Sequence, residues 1–170
     1  MLNSEGYRVD ILNDFLTFLE RELSLDEMKA HTYSPLALAF IGDSIYDLII
    51  RTYIISKGSK AVGKMHKESS LYVNAKTQAK IYHAIKDTLT EEELSVMKRG
   101  RNAKSGSKPK NTDLITYKHA TGFETLIGYL YITKQLERLV ALIAAGLKTT
   151  QLTQPDNIPE TIENGIPHSD

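Results

Sequence analysis

The chain contains no cysteine and no tryptophan. Without cysteine there are no disulfides, no thiolate metal sites and no cysteine nucleophile. No apolar run reaches the roughly 18 residues needed to cross a bilayer. The start, Met1 to Gly6, has no basic stretch leading into an apolar one, so no signal peptide is expected and the cytoplasm is the default compartment. Long runs that alternate apolar and polar residues are missing, and so are internal repeats, which leaves little to build a sheet from. Even the net charge is missing, since 21 Lys/Arg cancel 21 Asp/Glu.

That cancellation hides a segregation. Residues 1–56 hold 4 Lys/Arg against 9 Asp/Glu, and residues 57–118 hold 14 against 6. Residues 119–150 hold 3 against 2, and residues 151–170 hold none against 4. A basic middle third beside acidic segments points to a polyanion contacting one region; an unevenly charged, solvated surface is the plainer alternative. The 170 residues, 41% apolar and 25% charged, otherwise suit one ordinary globular domain with a real core.

Nearly all of it reads as helix. In residues 9–22, Ile11, Leu12, Phe15, Leu16 and Leu19 fall on one stripe at spacings of three and four. Residues 35–56 begin with Pro35 after Ser34, a good first-turn and cap pair. Residues 60–86 predict one or two helices, and Thr90 with Glu93 predicts a capping box that opens a short helix to about Arg99. Residues 112–132 and 134–148 are the last two helices. The tail 151–170, with three prolines and no basic residue, is expected to be disordered. The nine tyrosines read as helix packing with wet hydroxyls, not as a base-stacking platform.

Two carboxylates stand out because they sit in the most apolar segments. One is Asp43, in Leu38-Ala39-Phe40-Ile41-Gly42-Asp43-Ser44-Ile45; the other is Glu124, in Gly122-Phe123-Glu124-Thr125-Leu126-Ile127-Gly128. Burying an unpaired carboxylate costs several kcal/mol or forces it to protonate. A shared divalent cation would resolve the difficulty, because Mg²⁺ takes hard oxygen ligands and needs only one or two protein carboxylates. Asp43 paired with a lysine or a helix N-terminus is the alternative, and Glu124 alone suits a rim position. Asp47, one turn beyond Asp43, fits a ligand, a base beside the site or a solvated rim residue.

The stretch from Lys98 to Asn111 carries six Lys/Arg and no acid, and suits an arm that settles on phosphates. Arg99, Arg101, Lys104, Lys108 and Lys110 are its candidate phosphate contacts, with Asn102 placed for sugar or base edges in a shallow groove. Lys64 and Lys67, near Lys60 and His66, are a second basic cluster for the same surface. A solvated loop is the alternative. His66 and His83 read as polar surface groups or as supports to a site, and nothing assigns a role to His119.

With these residues in view, the chain resembles the catalytic domain of the ribonuclease III family. The segment Leu38 to Ile45 is similar to the family signature Leu-Glu-Phe-Leu-Gly-Asp-Ser/Ala-hydrophobic, and Thr121 to Gly128 is similar to Asp-x-x-Glu-Ala-Leu-Ile-Gly. The likeness runs from about residue 32 to 147. Two family glutamates fall on Leu36 and Ala39, the Asp of the second motif falls on Thr121, and no double-stranded-RNA-binding domain follows. Together with Arg99-Gly100-Arg101-Asn102-Ala103, these departures resemble the Mini-III branch.

The resemblance implies an all-α fold of the ribonuclease III endonuclease type. Residues 1–30 would be a helical extension, 31–150 the catalytic domain and 151–170 the tail. It implies a Mg²⁺-dependent endoribonuclease, with Mn²⁺ as a substitute, that cuts double-stranded RNA and leaves 5′-phosphate ends. Asp43 and Glu124 would be catalytic and hold the metal, with Asp47 the next candidate ligand. The chain would form a homodimer with Phe40 packed across the two-fold. Its expected substrate is the duplex stalk of the large-subunit ribosomal RNA precursor, with a ribosomal protein on that substrate as an open further partner. Fewer carboxylates than in the parent family favour one ion over a tightly held pair. A non-catalytic RNA-binding relative and, in a different class, a helical protein adaptor are the competing readings.

Overall fold

One helix organises the rest. In the computed structural model, which describes residues 11–104 and 112–150, α6 (Leu114–Ile132) is apolar nearly all round, and every residue from Ala120 to Leu130 is buried except Glu124. A helix of that kind must be surrounded. α2 (Pro35–Ser56), α4 (Ala75–Ile85), α5 (Glu91–Asn102) and α7 (Leu136–Thr149) pack against it. α3 (Val62–Tyr72) joins α2 to α4, and α1 (Ile11–Glu22) lies at the α6–α7 corner, where Leu16 is buried and Glu20 pairs with Lys134 at 3.0 Å. The fold is all-α, and no strand occurs among the described residues.

Local chemistry starts these helices, at Ser34-Pro35 and Thr90 where the sequence predicts and at Asn74 and Asp113 besides. The Ser34 hydroxyl accepts from the Ala37 amide, and Pro35 occupies the first position of α2. Asn74 accepts from the Thr77 amide to open α4, Thr90 and Glu93 close a reciprocal capping box on α5, and Asp113 accepts from the Thr116 amide at 2.9 Å. Each such cap satisfies an amide that would otherwise lack a partner.

The core lies between α2, α4, α6 and α7. Tyr46 and Phe123, both fully buried, meet edge to face at 5.1 Å, and the Tyr46 hydroxyl donates to the Tyr72 carbonyl. One difference from the sequence reading matters for function. α5 continues to Asn102 instead of stopping near Arg99, because Gly100 is buried against Thr125 of α6 and that packing carries the helix on by a turn. Arg99, Arg101 and Asn102 therefore sit on the rigid end of a helix. Lys108 and Lys110, the tail 151–170 and the first ten residues lie outside the described residues.

Candidate active site

The site is built on a seam between α2 and α6. A Cβ on Gly42 would run into the carbonyl oxygen of Glu124 and lie 2.7 Å from the Gly128 amide. A Cβ on Gly128 would run into the carbonyl of Leu38 and lie 3.1 Å from Cγ2 of Ile41. Glycine within a helix costs about 0.5–1 kcal/mol relative to alanine. Here the two glycines let the backbones touch, and the contact falls at the residue before Asp43 and at Glu124 itself. The Tyr46–Phe123 pair, one turn after Asp43 and one residue before Glu124, fixes the register of the seam from below.

Those neighbours place the two carboxylates together, and among the described residues neither forms an ion pair with a basic side chain. Glu124 is half-buried, and its pKa is pushed up to about 8 by loss of hydration first and by the charge of Asp43 second. Asp43 is exposed but borders the seam. Loss of hydration there, with Asp47 one turn on, raises its pKa as well. Without a cation, Glu124 therefore keeps its proton to a higher pH than an ordinary glutamate does.

Asp47 is drawn only partly into this cluster. Its Oδ2 is bound by Nε of Arg51 at 2.6 Å on the outer side, while Oδ1 is buried with no hydrogen-bond partner among the described residues. Among the same residues no three Asp, Glu or His side chains converge closely enough to hold an ion by themselves. The donor set still fits a hard divalent cation. Two neighbouring carboxylates with raised pKa values, the charge of Asp43 adding to the rise at Glu124, and a third carboxylate oxygen unpartnered on Asp47 suit an ion such as Mg²⁺, which keeps several waters and takes few protein ligands.

A residue absent from the sequence-based candidates completes the arrangement. Gln78 of α4 is only 2% exposed, and its amide favours the charged forms of both Asp43 and Glu124. The sequence does carry a signal: Gln78, Tyr82 and Ile85 form one buried stripe at helical spacing, and an amide in such a stripe calls for a reason.

Basic groups lie elsewhere on α3 to α6 and just beyond α5. Arg101 is half-buried against α6, where a Cβ on Gly122 would lie 3.2 Å from its own Cβ. His119, one and a half turns before Glu124, stacks near Tyr82 at 4.7 Å and meets His83 at 4.4 Å. Loss of hydration, then the neighbouring His83 and Arg101, holds His119 below the usual imidazole value. These histidines line a cavity of about 400 Å³ with Lys76, Lys80 and Thr116. Arg99 and Asn102 line another of about 720 Å³ with Pro35, Leu94 and Lys98. Lys104 is exposed beyond the end of α5, and Lys64 and Lys67 are exposed on α3. Phe40, one turn before Asp43, is 80% exposed.

Known proteins resemble this chain in sequence and fold. Residues 36–135 match the model of the Ribonuclease III domain family. A Mini-ribonuclease 3 of Brevibacillus brevis is 50% identical over 110 residues, which are 65% of this chain and 82% of that protein. A Mini-ribonuclease 3 of Thermoanaerobacter is 42% identical over 134 residues, 79% of this chain and 94% of its own. The crystal structure of a Fusobacterium nucleatum protein shares the fold with a TM-score of 0.63 at 36% identity, covering 69% of this chain and 94% of that one.

Proposed function

The chain belongs to the ribonuclease III family and is a metal-dependent endoribonuclease for double-stranded RNA, and we propose that Asp43 and Glu124 hold its ion, Mg²⁺, at the site of cleavage. The observation that carries this reading is the meeting of two carboxylates from α2 and α6, each raised in pKa and neither given a cationic partner among the described residues. We further propose that the substrate is the duplex stalk of the large-subunit ribosomal RNA precursor, that Mn²⁺ substitutes for Mg²⁺, and that a ribosomal protein on that RNA assists. The cytoplasm is the proposed location; no helix among the described residues is long and apolar enough to cross a membrane.

A divalent ion bound at such a pair supplies charge neutralisation at the phosphate and lowers the pKa of a water. The protein's own residues do the rest. Asp43, open to solvent, is the carboxylate first reached from outside. Glu124, whose pKa is pushed up to about 8, would have to be ionised to hold the ion, so occupancy should improve as pH rises. Arg101, Asn102 and Lys104, with Arg99 on the same helix end and Lys64 and Lys67 on α3, contact phosphates and sugars along the duplex. Lys108 and Lys110 extend that set. An A-form major groove is too narrow to read, so duplex shape and 2′-hydroxyls set the choice of substrate.

Phe40 supports a homodimer. An aromatic ring 80% exposed on a helix whose opposite face is in the core is a contact waiting for a second copy, and two copies would cut opposite strands. Phe40→Glu should yield a monomer by light scattering; a variant still dimeric at low concentration removes Phe40 from the interface.

The test of the site is cleavage of a duplex RNA with Mg²⁺. Asp43→Asn and Glu124→Gln should each lower the rate roughly a thousandfold or more, since metal-supplied charge stabilisation amounts to several kcal/mol. Both should still bind the duplex. Near wild-type cleavage by either variant would overturn the assignment.

A further inference from the structure

Gln78 is a deeply buried amide beside the carboxylates. At 2% exposure it is sealed from solvent, and although its amide is near enough to Asp43 and Glu124 to favour their charged forms, Nε2 makes no well-formed hydrogen bond to either. A buried, unpartnered donor costs about 1–3 kcal/mol, and in a native fold it demands an explanation. Nothing about the core requires an amide there. Thr77 and Ala79 on either side are buried, and Ile81, Tyr82 and Ile85 continue the packed face of α4. The backbone is also held firmly, with Asn74 capping the Thr77 amide and the Thr77 hydroxyl donating to the Leu71 carbonyl.

Resting on the metal-site reading above, we propose that Gln78 is a positioning residue of that site, whose side-chain amide spans Asp43 and Glu124 with one N–H directed to each. An amide nitrogen has two donors, and there are two carboxylates to receive them. The chemistry selects glutamine. A lysine or arginine at 78 would pair with the acids and compete with the ion for its place. A glutamate would add a third negative charge to a pair that already repels. A neutral amide steadies both carboxylates from behind and leaves their outer oxygens to the ion. The amide already favours the charged forms of both acids, and with both ionised around a cation each would be a full acceptor for one of its N–H groups. Groups that orient metal ligands in this way typically contribute ten- to a hundredfold in metal affinity.

The experiment is Mn²⁺ titration by calorimetry on RNA-free protein, with the metal-free Tm measured alongside. Wild type is compared with Gln78→Leu, Gln78→Met and Asp43→Asn. The two apolar variants should fold with a Tm near wild type, because Nε2 makes no well-formed hydrogen bond whose loss would cost stability. Their Mn²⁺ affinity should fall ten- to a hundredfold, and duplex cleavage at fixed Mn²⁺ should fall in step. If either apolar variant folds and binds Mn²⁺ like wild type while Asp43→Asn loses the ion, Gln78 merely fills space and the proposal is overturned alone. If Asp43→Asn also binds Mn²⁺ like wild type, the metal site itself is misplaced and both readings fall.

Discussion

Two glutamates on neighbouring helices face the interior of this protein and meet opposite treatment. Glu93 of α5 is gripped by Arg138 of α7, whose Nε donates to Oε1 and whose Nη2 donates to Oε2, both at 2.8 Å. The Thr90 amide adds a third donor, and Arg138 also ties the carbonyl of Thr88. The Arg138 hydrogen bonds come first in holding the Glu93 carboxyl below its ordinary range. Glu124 of α6 has no such fork among the described residues. It shares its space with Asp43, and its pKa rises to about 8. The first carboxylate joins α5 to α7. The second is left wanting a positive charge that its neighbours do not supply, and that difference separates a structural acid from one reserved for a ligand.

Breaking the seam tests this contrast most severely. Gly42→Ala drives a methyl group into the backbone of α6 at Glu124. It should cost about 2–3 kcal/mol in denaturant unfolding and abolish cleavage, since the helices must move apart. Unchanged stability would mean that the backbones do not touch there.

Removing the fork should come next. Arg138→Met leaves Glu93 buried without its cation and should cost about 2 kcal/mol, below the usual range for a broken buried pair because Arg138 is itself a third exposed. Cleavage by the folded protein should persist. A variant as stable as wild type would show that Glu93 needs no partner.

The pH dependence of stability sharpens the contrast through its sign. The folded pKa of Glu93 is lowered, so its contribution is present at neutral pH and is lost as pH falls through that value. The folded pKa of Glu124 is raised from about 4.5 to about 8, so stability is greatest below the lower value and declines as pH climbs toward the upper one. In metal-free protein, Glu124→Gln should flatten the decline in Tm between about pH 5 and 8, and Mg²⁺ should narrow it in wild type. An identical slope in wild type and variant would remove Glu124 as its source.

The smallest effect on stability belongs to the basic end of α5. Among the described residues, none of Arg99, Arg101 and Lys104 forms an ion pair. Changing all three to glutamine should shift stability by no more than about 0.5 kcal/mol. It should weaken duplex binding and lower the salt slope by about one for each phosphate left unneutralised. An unchanged slope would take this face out of the RNA interface.

Much of this is legible without coordinates. Ser34-Pro35 and Thr90 with Glu93 are caps whose chemistry acts within three or four residues, so those helix starts are read directly, whereas the caps at Asn74 and Asp113 are found in the structure. Asp43 and Glu124 are conspicuous because a carboxylate in an apolar segment is expensive wherever the segment ends up. The end of α5 is not legible, because Gly100 looks like a helix breaker in isolation and only its burial against Thr125 shows that the helix runs through it. Asp47 keeps three roles in the sequence because its partner, Arg51, could as well point elsewhere. Gln78 escapes notice because an amide on an apolar stripe acquires meaning only from what stands opposite.

The sequence by itself determined the helices, the two candidate acids and the family, because periodicity, capping and motif spacing are local properties of the chain. Only the tertiary structure decided which groups share a site. Glu124, Gln78 and Asp43 come from three helices, and the contact of Gly42 and Gly128 sets how closely the first and last of those helices approach. Such proximity depends on how whole helix faces fit together, and no window along the chain carries that information.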